Sequence, residues 1–142
     1  MKRWPVFLAA VVLLGPGCAN QEPAPSRDVQ ALFRQADRNG DGRVSREEFS
    51  DFLIAEAFAN YDRNGDGMVT LEEFVAGGGT AATFRKIARP GSNSFTLADA
   101  LASREVVNRM ARPFDEADVN GSGSVSWQEY LAWRDRAQPY IR

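Results

Sequence analysis

Histidine is absent from this chain, and cysteine occurs once, at Cys18. Without histidine, the usual general base and the commonest transition-metal ligand are missing. A single thiol permits no intrachain disulfide and no thiolate zinc site. Basic clusters are lacking as well, which argues against a nucleic-acid partner. One apolar run stands out, Trp4 to Leu14 behind Lys2 and Arg3, and it is too short to span a bilayer. There is no nucleophile–base pair and no phosphate-cradling loop, so the chain does not read as an enzyme. What remains is ordinary. The chain has 142 residues, 25% charged and 44% hydrophobic, enough for one domain or two small lobes and too apolar for wholesale disorder.

The first segment has the form of an export signal: a charged n-region, an apolar h-region and the small-residue zone "GPGC". Residues 1–17 are expected to be a signal peptide, and 18–27 a lipidated N-terminus and linker. Losing Lys2 and Arg3 takes the formal charge from −2 to −4. "LLGPGC" resembles a bacterial lipoprotein signal, in which the cysteine becomes the lipidated first residue of the mature protein. That resemblance implies a lipid on Cys18, a membrane anchor and a periplasmic location. Gly17 suits the pattern; Gly15 and Pro16 depart from it, because a larger aliphatic residue is usual three places before the cysteine. Ordinary secretory cleavage after Ala19 is the alternative. Asn20 to Ser26, with its prolines, reads as a tether.

Beyond the tether the chain repeats. "FRQADRNGDGRVSREEF" (Phe33 to Phe49) aligns without gaps on "FANYDRNGDGMVTLEEF" (Phe58 to Phe74) and on "FDEADVNGSGSVSWQEY" (Phe114 to Tyr130). Each unit reads aromatic, Asp, a glycine-bearing loop, Ser or Thr, Glu, aromatic. Such self-similarity takes precedence over other patterns. Acidic groups on alternate positions of a tight turn repel one another unless a cation lies between them. Two other roles fit parts of the pattern. Ser45/Glu48, Thr70/Glu73 and Ser126/Glu129 match the capping box that starts a helix without metal, and Asp-Gly or Asn-Gly pairs make plain turns. Neither requires acids at the first and fifth loop positions as well.

All three segments resemble the EF-hand, a helix–loop–helix calcium module, over about Val29 to Trp133. The resemblance implies an all-α array of helix–loop–helix units with short β-bridges between loops, and about three calcium ions per chain. Calcium takes roughly 6–8 oxygens at about 2.3–2.6 Å. In the first loop the implied set is Asp37, Asn39, Asp41, the Arg43 carbonyl, Ser45 directly or through water, and Glu48 with both oxygens. In the second it is Asp62, Asn64, Asp66, the Met68 carbonyl, Thr70 and Glu73. In the fourth it is Asp118, Asn120, Ser122, the Ser124 carbonyl, Ser126 and Glu129. Gly42, Gly67 and Gly123 supply the bend, because glycine alone takes positive φ without steric cost. The fourth set has one acid fewer, at Ser122, so it is expected to bind more weakly. Arg38 and Arg63, next to the first ligands, are expected to trim affinity.

A fourth copy of the frame lies between the second and last loops. Phe84, Ala88, Phe95, Thr96 and Asp99 keep the spacing, but Ala88, Pro90 and Asn93 replace the first acid, the amide and the glycine, so no ligand is carried over. Such a hand would be a scaffold pairing with loop four through Phe95 and Val125; a helix–turn–helix connector is the alternative. Hands one and two are placed in 28–76, and hands three and four in 80–138. Ser26 suits an N-cap, Asp28 a first helical turn, and Val29, Leu32, Phe33 and Ala36 share one face. Only Phe49 to Tyr61, free of glycine and proline, links Glu48 to Asp62. This stretch reads as one shared helix of about 20 Å, with Phe49, Phe52 and Leu53 on one side and Ile54, Phe58 and Tyr61 on another. A break near Ile54 would instead allow loops one and two to pair. "GGG" at Gly77 to Gly79 reads as a helix end and a hinge between halves.

The expected function is that of an exported calcium-binding structural or adaptor module, in the periplasm, membrane-anchored or secreted. The alternatives are a calcium sensor exposing an apolar surface to a protein partner, or a calcium buffer. Beyond the signal only Met68 and Met110 remain, which disfavours a methionine-rich sensor groove. Phe95, Trp133 and Tyr140 are candidates for a target surface or for the core. Three bound ions would shift the formal charge from −4 to +2, enough to alter contacts with acidic surfaces.

Overall fold

Short helices alternate with glycine-bearing loops through residues 27–137, those which the computed structural model describes. Cys18, the export segment, Ser26 and Tyr140 lie outside the described residues. The order is α1 (Arg27–Ala36), β1 (Arg43–Ser45), α2 (Arg46–Tyr61), β2 (Met68–Thr70), α3 (Leu71–Ala76), α4 (Ala81–Ile87), β3 (Ser94–Thr96), α5 (Leu97–Ala102), α6 (Arg104–Ala117), β4 (Ser124–Ser126) and α7 (Trp127–Ala137). The fold is therefore all-α, with two small antiparallel sheets. Among the described residues, no helix is long and apolar enough to cross a membrane.

The central element is α2. Ser45 caps it, accepting from the Glu48 N–H while Glu48 accepts from the Ser45 N–H. No glycine or proline interrupts it, so it runs unbroken for 16 residues, about 24 Å. Its two apolar faces serve two cores. Phe49, Phe52 and Leu53 pack with Phe33, Phe114, Tyr130 and Trp133. Ile54, Phe58 and Tyr61 pack with Phe74, Phe84 and Phe95. Helix α6 also reaches both: Phe114 and Ala117 enter the first core, Val106 and Met110 line the second. Phe95 and Trp133 are thus both packed into the cores.

An unbroken α2 decides the pairing of the hands. It holds loops one and two at its opposite ends, so each must find another strand for its open N–H and C=O groups. Strand β1 pairs with β4, Val44 facing Val125; β2 pairs with β3, Val69 facing Phe95. The expected Phe95–Val125 contact between hands three and four is therefore wrong. Hand one is joined to hand four, hand two to hand three, and each core draws on both 28–76 and 80–138. The ligand-poor third segment does fold as a hand, with α4, β3 and α5. Thr96 and Asp99 form its capping box.

Gly77 to Gly79 ends α3 as the sequence suggests; close packing explains Gly77 and Gly79, while Gly78 takes a positive φ of 93°. A Cβ on Gly77 would meet the Tyr61 ring at 2.5 Å, and one on Gly79 would run into the Phe74 ring. A single bidentate ion pair ties α7 back to α2: Arg134 donates to both carboxylate oxygens of Glu56, at 2.9 and 2.6 Å. Burial alone would lower the Arg134 pKa, but the Glu56 bonds outweigh it and hold the guanidinium charged.

Candidate metal centres

Each repeat places its acids in the turn between an incoming helix and a strand. In the first loop, Asp37 Oδ2 accepts from the Gly42 N–H at 2.9 Å and Oδ1 from the Asp41 N–H at 3.1 Å. Asn39 Oδ1 accepts from the Asp41 N–H, and Asp41 Oδ1 from the Arg43 N–H, both at 2.8 Å. The second loop repeats this pattern: Asp62 Oδ2 with Gly67, Asn64 with Asp66, and Asp66 with Met68, each at 2.9 Å. In the fourth, Asp118 Oδ2 accepts from Gly123 at 2.8 Å and Asn120 Oδ1 from Ser122 at 2.9 Å. The bending glycines take φ of 82° at Gly42 and Gly67 and 84° at Gly123. In the third hand Asn93 stands at that position, and no non-glycine among the described residues has positive φ.

The strands carry the next positions. Arg43, Met68 and Ser124 open β1, β2 and β4; Ser45, Thr70 and Ser126 close them. The last acid of each loop lies in the first turn of the following helix. Glu48 bridges its loop, accepting from the Asn39 N–H at 3.2 Å and from the Ser45 N–H at 2.9 Å; Glu129 does the same with Asn120 at 3.3 Å and Ser126 at 2.9 Å. The capping box and the loop thus share one carboxylate, so the two readings of these residues are not exclusive.

These bonds set the charge state. Burial pushes the Glu48 carboxyl up, but N–H and O–H groups of Ser45 and the Asn39 and Arg38 amides outweigh it, so its pKa is lowered. Glu73 is lowered chiefly by the backbone and hydroxyl of Thr70, and Glu129 by those of Ser126. All three remain carboxylates at neutral pH.

Among the described residues, no three acidic, histidine or cysteine side chains are gathered closely enough to form a ready-made metal cage. The carboxylate oxygens are turned onto loop N–H groups instead. The donor set nonetheless fits a hard divalent cation and no soft one: every candidate atom is oxygen, and each loop brings two or three carboxylates on a turn tight enough to aim them inward. The arginines flanking the first ligands are engaged elsewhere. Arg38 binds Asp51 on α2 at 2.7 Å, and Arg63 donates to the Ala76 carbonyl at 3.3 Å.

Two features escaped sequence reasoning. Gly40, Gly65 and Gly121, at the fourth loop position, also take positive φ, from 67° to 71°; their recurrence in register was a readable signal. The second is Arg43, considered only for its carbonyl. Its side chain crosses the β1–β4 sheet into the fourth loop, where it donates to Ser122 Oγ at 2.9 Å and Ser124 Oγ at 2.6 Å.

With this geometry in place, comparison with known families is direct. Residues 51–133 match the model of the EF-hand domain pair, and residues 29–53 that of the EF hand. The chain belongs to the EF-hand family. Membership implies calcium binding, and calcium ions as partners. A search of the curated proteins found no match.

Proposed function

We propose that this is an exported module with a structural or adaptor role, stabilised by about three calcium ions bound in loops one, two and four. The ligands are those named from the sequence, from Asp37 to Glu48, Asp62 to Glu73 and Asp118 to Glu129. The observation that carries this is the common geometry of the three loops. In each, the first aspartate receives the N–H of the bending glycine, at 2.8–2.9 Å, while the final glutamate closes on the strand from the other side. An ion at the centre would draw these carboxylates inward and exchange their bonds to N–H groups for bonds to metal. Loops one and two, with three carboxylates each, would bind more tightly than loop four with two.

Export rests on the segment before Cys18, and membrane attachment on lipidation of Cys18; both are features of sequence. A non-enzymatic role belongs to the same reading and rests on the sequence, which has no histidine. One observation favours a sensor instead. A groove of about 650 Å³ runs between α2, α6 and α7, lined in part by Leu53, Met110, Pro113 and Trp133.

Thermal melts of the purified chain with and without calcium, combined with an apolar dye, test the choice. A module gains melting temperature on calcium with no rise in dye binding. A calcium-driven rise in dye binding would replace the module by the sensor. Radiolabelled acyl incorporation that is lost in Cys18→Ala would support the anchor; a mature form beginning at Asn20 would refute it.

A further inference from the structure

The first and fourth hands are not symmetric across their shared sheet. Strand β1 runs antiparallel to β4 in the register Arg43↔Ser126 and Ser45↔Ser124. The Arg43 side chain extends along this pairing into the neighbouring loop. Its Nε donates to Ser124 Oγ at 2.6 Å, and one terminal nitrogen donates to Ser122 Oγ at 2.9 Å and to the Ser124 carbonyl at 3.3 Å. Ser122 Oγ and the Ser124 carbonyl are two of the six groups proposed to bind calcium in that loop. Ser122 Oγ also donates to the Ser124 carbonyl at 2.8 Å, so these oxygens are already committed.

A guanidinium offers donors only and recognises oxygen acceptors, as calcium does. The same oxygens cannot serve both cations in full. We propose that Arg43 is a tethered counter-cation of the fourth loop, which calcium must displace in order to bind there. This rests on the reading of loop four as a calcium site and goes beyond it.

The second sheet supplies an internal comparison. Met68 occupies the place of Arg43 in β2, and its sulfur accepts from Ser94 Oγ at 3.8 Å in the third hand, a neutral contact facing a loop without ligands. In the opposite direction, loop four presents Ser124, which is uncharged, towards loop one. The cation is therefore set against the one of the three proposed calcium loops with the fewest acids. There it holds the calcium-free turn in shape and lowers the loop's affinity for calcium below what its own ligands would give.

The test uses the full chain and its tryptophans. Trp127 begins α7 directly after β4, between Ser126 and Glu129, so it reports on loop four; it also packs edge-on to Phe33 of the first hand at a centroid distance of 5.2 Å. Calcium titrations at low salt compare wild type with Arg43→Met, which copies Met68, Arg43→Gln, which keeps a donor without the charge, and Arg43→Lys. A unit positive charge a few ångströms from a divalent ion in a solvent-exposed setting weakens binding by about three- to tenfold. The Met and Gln variants should therefore tighten the Trp127-reported site by that factor. Lys should stay near wild type, and the gain should shrink as added salt screens the charge. An affinity unchanged or weakened in both neutral variants would overturn the proposal.

Glu129→Gln separates the two readings. If wild type gives no Trp127 response that this substitution removes, loop four is not a calcium site and the proposal falls with it. If the response is present but indifferent to Arg43, only the counter-cation is refuted.

Discussion

Phe95→Ala probes the shared helix from the side that contains no tryptophan. Phe95 is 3% exposed and meets Phe58, Phe74 and Phe84 at centroid distances of 6.1, 5.7 and 5.5 Å. Truncating a buried phenylalanine in such a setting costs about 3–5 kcal/mol, a large part of the roughly 5–15 kcal/mol that holds a domain of this size. At about 4–5 °C per kcal/mol, the melting temperature of the calcium-free chain should fall by about 10 to 25 °C. Trp127 and Trp133 both belong to the other core. Because α2 and α6 run through both cores, tryptophan fluorescence should nevertheless fall with far-ultraviolet dichroism, in one transition at the lowered temperature. If the tryptophan melt stays at the wild-type temperature while dichroism shows an earlier loss, the cores are independent and α2 does not couple them.

Further tests address single contacts. Glu56→Gln should destabilise by about 2 kcal/mol in denaturant titrations, as it leaves the largely buried Arg134 short of its partner. The double change Glu56→Leu with Arg134→Met should recover most of that loss. Gly79→Ala should cost about 1–3 kcal/mol by thermal melt, since its methyl group runs into the Phe74 ring. The pH dependence without calcium follows from the lowered carboxyls. Asp99, held down by Thr96 and then Arg89, and Glu73 and Glu129 bind protons more readily unfolded than folded. Their stabilisation is present above about pH 4.5 and fades as pH falls through their lowered folded values, so the melting temperature should drop as the pH is taken below about 4.5. At the alkaline end, burial pushes the Tyr130 phenol up to about 12. Folding then favours the neutral phenol, and stability should decline as pH rises above about 10.

Much of the fold was legible because the repeat fixes spacing. Helix boundaries follow from the Ser/Thr-x-x-Glu boxes, and the candidate loop residues fall in the turns where the pattern puts them. The two-faced character of α2 was readable from Phe49, Phe52 and Leu53 against Ile54, Phe58 and Tyr61. Pairing was not readable, since it depends on whether that helix stays straight, and Val44, Val69, Phe95 and Val125 are interchangeable as strand residues. Once α2 is continuous, adjacency in sequence ceases to mean adjacency of loops. The role of Arg43 was hidden for the same reason: a position proposed to offer a carbonyl to its own loop contributes a side chain to Ser124, 81 residues away, which only the β1–β4 register brings near. The ion pair of Arg134 with Glu56 is equally non-local, at a separation of 78 residues.

Calorimetric titration of the purified chain with calcium bears most directly on all of this. The expected result is heat from about three ions per chain, with two sites filling before the third and a folded, more stable product. No heat and no change in melting temperature up to millimolar calcium would contradict it.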